Sequence, residues 1–387
     1  MLGYLLARAG IDVVVLEKHS DFFRDFRGDT IHPSTLTVMQ ELGLLDDFLK
    51  LPHSEVREIS ANVSGVKVRF ADLSRVPGPC KFVMFIPQWD FLNFLADRAK
   101  RFAGFQLLME TEARELVIED GRVTGLRARS HGEDFIVRAD LTVAADGRTS
   151  VLRQQSGCEV MEVGAPIDAL WLRLSKKAGD RSETFGNVVA GGILVAIDRV
   201  DYYQCALVIM KGEFEKMRSR GLEAFRENIA RIAPFLADRV NELKSWDDVK
   251  LLTVAVNRLK RWHRPGLLLI GDAAHAMSPV GGVGINLAIQ DAVASSNLLT
   301  EALRAGAPTD ADLQRVQDRR ERPTKQTQAL QVFIQERILN RVLSSSAKVK
   351  LPWLFQLFTW IPALRGIPAR IIGVGFRPEH VQTDNTS

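Results

Sequence analysis

The sequence predicts an α/β fold, with a β-rich domain inserted in a parallel-sheet domain and a helical part towards the C-terminal end. Three observations carry this. Four apolar residues at 13–16 run unbroken behind the end of a helix, as a buried parallel strand does. A second compact apolar strand at 267–270 leads into a glycine-rich turn and a long helical pattern. Between them, from about 165 to 256, short strands surround one helical stretch. A length of 387 residues suits two domains, and 46% hydrophobic with 25% charged residues excludes disordered and fibrous classes. Lys plus Arg is 51 against 47 Asp plus Glu, a net charge of +4 spread along the chain, which gives no case for nucleic acid. Cys80, Cys158 and Cys205 are far apart and odd in number. They form neither a disulfide framework nor a metal cluster, and fit a reducing cytoplasm. Residues 1–10 lack the apolar core and cleavage site of a signal peptide.

In chain order, residues 2–9 read as the last turns of a helix, with Gly10 placed as its C-cap. The strand at 13–16 follows. Pro33 starts a helix over 34–42, and Gly43 ends it. Residues 89–102 carry Phe91, Leu92, Leu95, Ala99 and Phe102 at helical spacing. Strands at 114–118 and 123–129 flank a hairpin turn containing Gly121, and 135–138 adds a third. The apolar strand 141–145 ends at Asp146-Gly147. The insert has strands near 167–174, 193–197, 202–210 and 249–256 around a helical stretch at 213–243. After 267–270, helices are expected at about 284–305, 310–321 and 324–345. The domain division is therefore 1–164, 165–256 as the insert, 257–345 as the return of the first domain, and 346–387 as a tail. The most apolar stretch, 351–376, is interrupted by Pro352, Pro362, Pro368, Arg365 and Arg370. A spanning helix is disfavoured, which leaves a packed tail or weak contact with a membrane surface.

Four motifs carry chemistry. Glu17, followed by Lys18, stands directly after the first strand, where an acid accepts hydrogen bonds from ribose hydroxyls in a dinucleotide-binding βαβ unit. Arg27 opens the stretch 27–36 between that strand and the next helix, and its forked donors suit a pyrophosphate. Asp146-Gly147 forms a tight turn after an apolar strand, and Gly147 permits close backbone approach. Gly271-Asp272 ends the strand at 267–270. Asp272 can accept hydrogen bonds from polyol hydroxyls. Pro279, Gly281, Gly282 and Gly284 make a loop against which a flat ring can lie, before a helix whose N-terminus offers free N–H groups. His275 reads as a packing or local capping residue. The glycine loop of such a unit belongs about 20 residues before the acid. No G-x-G-x-x-G precedes Glu17, so Met1 is not expected to begin the ancestral domain.

Glu17, Arg27-Gly28-Asp29, Gln88, Asp146-Gly147, Gly271-Asp272 and the loop 279–286 occur in this order over roughly residues 2–345. Together they resemble the FAD-dependent aromatic hydroxylases, group A flavoprotein monooxygenases of the para-hydroxybenzoate hydroxylase type. The resemblance implies an FAD-binding Rossmann-like domain, FAD as cofactor and NADH or NADPH as co-substrate. It implies molecular oxygen and a small aromatic or similarly apolar ring as substrates, and hydroxylation of that ring as the reaction. It places Glu17 on the adenosine ribose, and Arg27 and Gln88 near the pyrophosphate. Asp146-Gly147 serves both FAD and the nicotinamide cofactor. Asp272 falls on the ribityl chain or pyrophosphate, and the loop through Asn286 along the isoalloxazine. Without the glycine loop, the chain is expected to retain FAD poorly. No catalytic base is identified; Tyr202, Tyr203 and His53 have thin support. A flavin-linked isoprenoid reductase or epoxidase shares the fold, and a flavin-free binding protein is the non-enzyme alternative. A flavin-dependent halogenase is disfavoured, because residues 358–362 supply only part of the W-x-W-x-I-P signature.

Overall fold

The computed structural model describes residues 1–23, 30–180, 184–199, 201–347 and 360–385. Helix α1 (Leu2–Arg8) ends at Ala9, and Gly10 follows at φ +76°, a backbone state that side chains resist. It packs closely on strand β1 (Val13–Leu16): a Cβ on Gly3 would lie 2.9 Å from Val15 Cγ2. The short β2 (Thr30–Ile31) leads into α2 (Pro33–Glu41), with proline at the first helical position. A hairpin of β3 (Glu58–Val63) and β4 (Val66–Asp72) comes next. Helix α3 (Gln88–Ala99) then delivers β5 (Phe105–Leu108), which pairs in parallel with β1. Strands β6 (Thr111–Glu119), β7 (Arg122–Ser130) and β8 (Glu133–Arg138) form an antiparallel sheet. Its first turn uses Asp120 and Gly121 at φ +49° and +78°, the left-handed pair that tight hairpins favour. Strand β9 (Thr142–Ala144) closes this part.

The β-rich layer holds β10 (Ile167–Ser175), β11 (Phe185–Val189), β12 (Gly192–Asp198) and β13 (Tyr202–Met210), then α4 (Leu222–Ile232) and β14 (Lys250–Leu252). Its sheet has seven strands in the order β14-β10-β13-β12-β11-β3-β4. Two of them, β3 and β4, come from outside 165–256, so the layer is built from two chain segments rather than from the insert alone. The joint is the parallel pairing of β3 with β11, a long-range contact that no local pattern announces. Alternation sorts the residues. Leu170, Leu172, Tyr203, Cys205 and Leu207 face Phe225, Ile229 and Ile232 of α4. Trp171, Val195 and Ile197 face the other way, packing with Leu73, Val83 and Phe85. The expected helical stretch at 213–243 is divided: Gly221 at φ +89° separates Phe214–Ser219 from α4, and short 3-10 turns follow.

Strand β15 (Leu267–Leu269) returns to the first domain and pairs in parallel with β9. Helices α5 (Gly284–Ala305) and α6 (Asp310–Ile334) follow. Helix α6 runs straight through Pro323, where a break was expected. An interior proline costs about 3 kcal/mol. Burial of Leu313, Val316 and Pro323 itself, with the bonds Arg320 and Gln328 make to Asp291 and to the Asn257 carbonyl, offsets that cost. A π-helical turn at Gln335–Leu339 carries the helix on into a last α-helical turn, Asn340–Leu343. Strand β1 also departs from expectation: Val14 is 43% exposed rather than buried. Among the described residues β1 pairs only with β5 and β9 only with β15, in separate sheets. Leu16 nevertheless packs against the core that holds Ala144 and Leu269.

Part of the apolar tail, 351–359, lies outside the described residues. Beyond it, α7 (Gly366–Gly373) sits on Leu73 and Pro33, and Ala369 is buried beside Phe85 and Ile197. Trp360 is 75% and Ile367 58% exposed. No helix among the described residues is long and apolar enough to cross a membrane.

Candidate active site

Strands β9 and β15 are in register, Ala144 opposite Leu269, and the Ile270 amide donates to the Ala144 carbonyl at 3.0 Å. Each strand then continues into a turn, Asp146-Gly147 on one side and Gly271-Asp272 on the other. The two motifs therefore leave the carboxyl ends of adjacent parallel strands, where open α/β sheets bind ligands. Arg148 links them: its Nη2 lies 3.4 Å from Asp272 Oδ2, and its Nη1 lies 3.4 Å from the Thr253 carbonyl. Asp272 remains 31% exposed in its side chain, and Asp146 is exposed. Gly147 has φ +86° with open space where a Cβ would stand. Both carboxylates thus remain accessible to hydroxyl donors, and the backbone at Gly147 is open to close approach.

The loop after Ser278 is held open by two left-handed glycines, Gly281 at φ +80° and Gly282 at +63°. Thr30 Oγ1 donates to the Gly282 carbonyl at 2.8 Å. Asn286 fastens the same loop. Its Oδ1 accepts from the His32 amide and from Thr35 Oγ1, both at 2.8 Å, and its Nδ2 donates to the Thr30 carbonyl at 2.9 Å. Asn286 is 5% exposed, and both ends of its amide are engaged by protein groups, so it acts on the loop. Helix α5 begins at Gly284 without a side-chain cap. Its first-turn N–H groups and dipole suit an electron-rich ring edge.

Behind Gly271 lies a buried group that the sequence did not announce. Asp291 Oδ2 accepts from the Gly271 amide at 3.1 Å and contacts His275 Nε2 at 2.6 Å. Asp291 Oδ1 accepts from Arg320 Nε at 2.9 Å. Burial alone would raise the Asp291 pKa, but His275 and Arg320 outweigh it and hold the carboxyl below its usual range. His275 thus holds Asp291 through its Nε2 and packs against Trp262, with ring centroids 4.8 Å apart. The available signal was an acid on an otherwise apolar stretch of α5.

The other expected residues are more scattered. Glu17 stands at the carboxyl end of β1, its amide donating to the Leu108 carbonyl at 2.9 Å and its Oε1 accepting from the His19 amide at 2.9 Å. Lys18 is exposed beside it. Gln88 is the first residue of α3. Arg27, Gly28 and Asp29 lie outside the described residues. Tyr203 is buried on the α4 side with Phe185 and Phe235, and burial pushes its pKa up to about 12. The Tyr202 ring lies 3.7 Å from the Arg173 guanidinium. His53 Nδ1 makes a local bond to the Leu51 carbonyl at 2.7 Å. The arrangement fits FAD: Glu17, Asp146 and Asp272 are carboxylates at strand ends, and the glycine loop and uncapped helix offer bare backbone.

The pattern of the FAD binding domain family matches residues 1–329. A 6-methylpretetramide 4-monooxygenase of Streptomyces rimosus is 33% identical over 374 residues, 96% of this chain and 88% of that protein. A digeranylgeranylglycerophospholipid reductase of Methanocella arvoryzae is 24% identical over 318 residues, 78% of this chain and 74% of that protein. The solved structure of PqsL from Pseudomonas aeruginosa has a TM-score of 0.73 at 21% identity, covering 88% of this chain and 93% of that one. At that identity the likeness speaks for the fold. The match over residues 1–329 makes this chain a flavoprotein: it belongs to the FAD binding domain family. Within that family it is an FAD-dependent monooxygenase of the aromatic hydroxylase type, with FAD as its cofactor.

Proposed function

We propose that this chain hydroxylates an aromatic ring, 6-methylpretetramide or a compound like it, using NADH or NADPH and molecular oxygen. The balance is one NAD(P)H, one proton, one O2 and one ring C–H giving NAD(P)+, water and a ring C–OH. The observation that supports this most is the pairing of Asp146-Gly147 and Gly271-Asp272 on adjacent strands, bridged by Arg148. Bound FAD supplies hydride acceptance and oxygen activation. Glu17 and Asp272 hold its hydroxyls, Gly147 lets backbone approach, and the 279–286 loop carries the ring. The free thiols of Cys80, Cys158 and Cys205 fit work in the cytoplasm. The test is substrate-dependent NAD(P)H oxidation by the FAD-loaded protein, with the product carrying one more oxygen.

A second activity, reduction of an isoprenoid, is favoured by the 24% identity to the digeranylgeranylglycerophospholipid reductase. It consumes reductant and adds no oxygen, so the same product mass separates the two. Exposed Trp360, Ile361 and Ile367 suit weak contact with a membrane surface. Co-sedimentation with anionic vesicles is expected to fall when Trp360 and Ile367 are both changed to Ser; unchanged sedimentation counts against that contact.

A further inference from the structure

We propose that Asp291, Arg320 and Glu379 are positioning residues for FAD, tying the C-terminal segment to the Gly271-Asp272 turn so that cofactor binding and tail docking strengthen each other. This rests on the assignment of that turn to FAD. Glu379 lies far along the chain yet is 3% exposed. Its carboxylate accepts from Arg319 Nε at 2.8 Å and Nη2 at 3.0 Å, and from Arg320 Nη1 at 3.3 Å. Its amide donates to Gln290 Oε1, the residue before Asp291. Arg320 Nη1 also reaches the Arg377 carbonyl at 3.3 Å. Arg320 Nε is the donor to Asp291, whose other oxygen holds the Gly271 amide. Glu379, Arg320 and Asp291 thus alternate in charge from the tail to the back of the turn, with Arg319 on the outer side of Glu379. Arg320 is shared between the two carboxylates, so removing Glu379 leaves the guanidinium held from the Asp291 side and frees its outer end to shift. Arg320 Nη2 already has no hydrogen-bond partner, so its placement depends on Asp291 and Glu379.

The turn has little slack. Gly271 sits at φ +57°, and a Cβ there would lie 3.0 Å from the Ala288 Cβ. When Glu379 withdraws, Arg320 loses its tail-side anchor and Asp291 its lateral support. The direction of the Asp272 carboxylate then relaxes. The tail is held independently further on, where the Val381 amide donates to Glu41 Oε2 and the Gln382 amide to Asn297 Oδ1, both at 2.9 Å. Coupling must be reciprocal: FAD that gains from a docked tail also holds the tail down.

The experiment uses the full chain. Hydrogen exchange of the peptide 376–385 is measured with and without FAD, and FAD dissociation constants are measured well below the melting temperature for wild type, Glu379→Gln and Asp291→Asn. We expect FAD to slow exchange of the wild-type tail. Glu379→Gln is expected to raise the FAD dissociation constant about ten-fold and to abolish the effect on exchange. Tail exchange that is the same with and without FAD in the wild type overturns the proposal without any variant. So does a Glu379→Gln protein that melts earlier but binds FAD as wild type does, the mark of a merely structural network. A wild-type chain that binds no FAD even at high FAD concentration, where weak retention would still register, overturns the site assignment itself.

Discussion

Asp272 and Asp291 stand on either side of the same turn and do opposite jobs. Asp272 is partly exposed and faces Arg148, free to accept from a ligand; Asp291 is fully buried and holds the turn from behind. Replacing Asp272 by Ala is expected to raise the FAD dissociation constant roughly ten- to a hundred-fold, because a hydrogen bond to a charged group is worth about 1.5–3 kcal/mol. Flavin fluorescence titration checks this, and an unchanged constant contradicts it. The difference in legibility has a physical root. Asp146 and Asp272 follow directly on apolar strands, so local pattern exposes them. Asp291 has partners at sequence separations of 16, 20 and 29 residues, which only the packing of α5 on β15 and α6 brings together. Tyr203, on an insert strand, is turned by alternation to the α4 core. The sequence left open which face was which.

Loops and helix ends decide how the site is held. Gly282 combines φ +63° with a neighbour, Thr30 Oγ1, 2.4 Å from where a Cβ would stand. Gly282→Ala is expected to lower stability by about 1–3 kcal/mol and to shift the flavin absorption band as the loop moves. A variant with wild-type melting and spectrum would refute that. The entry to α2 is expected to respond to pH. His32 is buried, and its Nδ1 lies 2.6 Å from the Ile372 carbonyl at the end of α7. Burial pulls its pKa down to about 4, against the raising effect of that bond. The unfolded chain takes up this proton near pH 6.5 and the folded one near 4. The contribution of His32 is therefore present above about pH 6.5 and is lost as pH falls towards 4, at about 1.4 kcal/mol per unit. The stability difference between wild type and His32→Gln, from urea unfolding, is expected to shrink over that window; a constant difference excludes the effect. Elements with strong local periodicity were legible. Residues 202–210 form the expected strand and 284–305 the expected helix. The hairpin β3–β4 was not, because its short half-exposed strands lack an apolar run. Pro323 misled in the other direction: tertiary burial overrides a local breaker.

At the scale of the molecule, two layers meet. One is the parallel-strand layer with its carboxylates at the strand ends. The other is a seven-stranded sheet drawn from two segments of chain, with α4 on one face and Trp171, Val195 and Ile197 on the other. The C-terminal segment crosses between them, bonding to α2, α5 and α6. The most direct measurement supplies the FAD-loaded chain with NADPH or NADH, 6-methylpretetramide and isotopically labelled O2, and weighs the product. For oxygen insertion, one labelled oxygen is expected in the product for each NAD(P)H consumed by coupled turnover. Reductant consumed with a product that gains hydrogen and no labelled oxygen would contradict it.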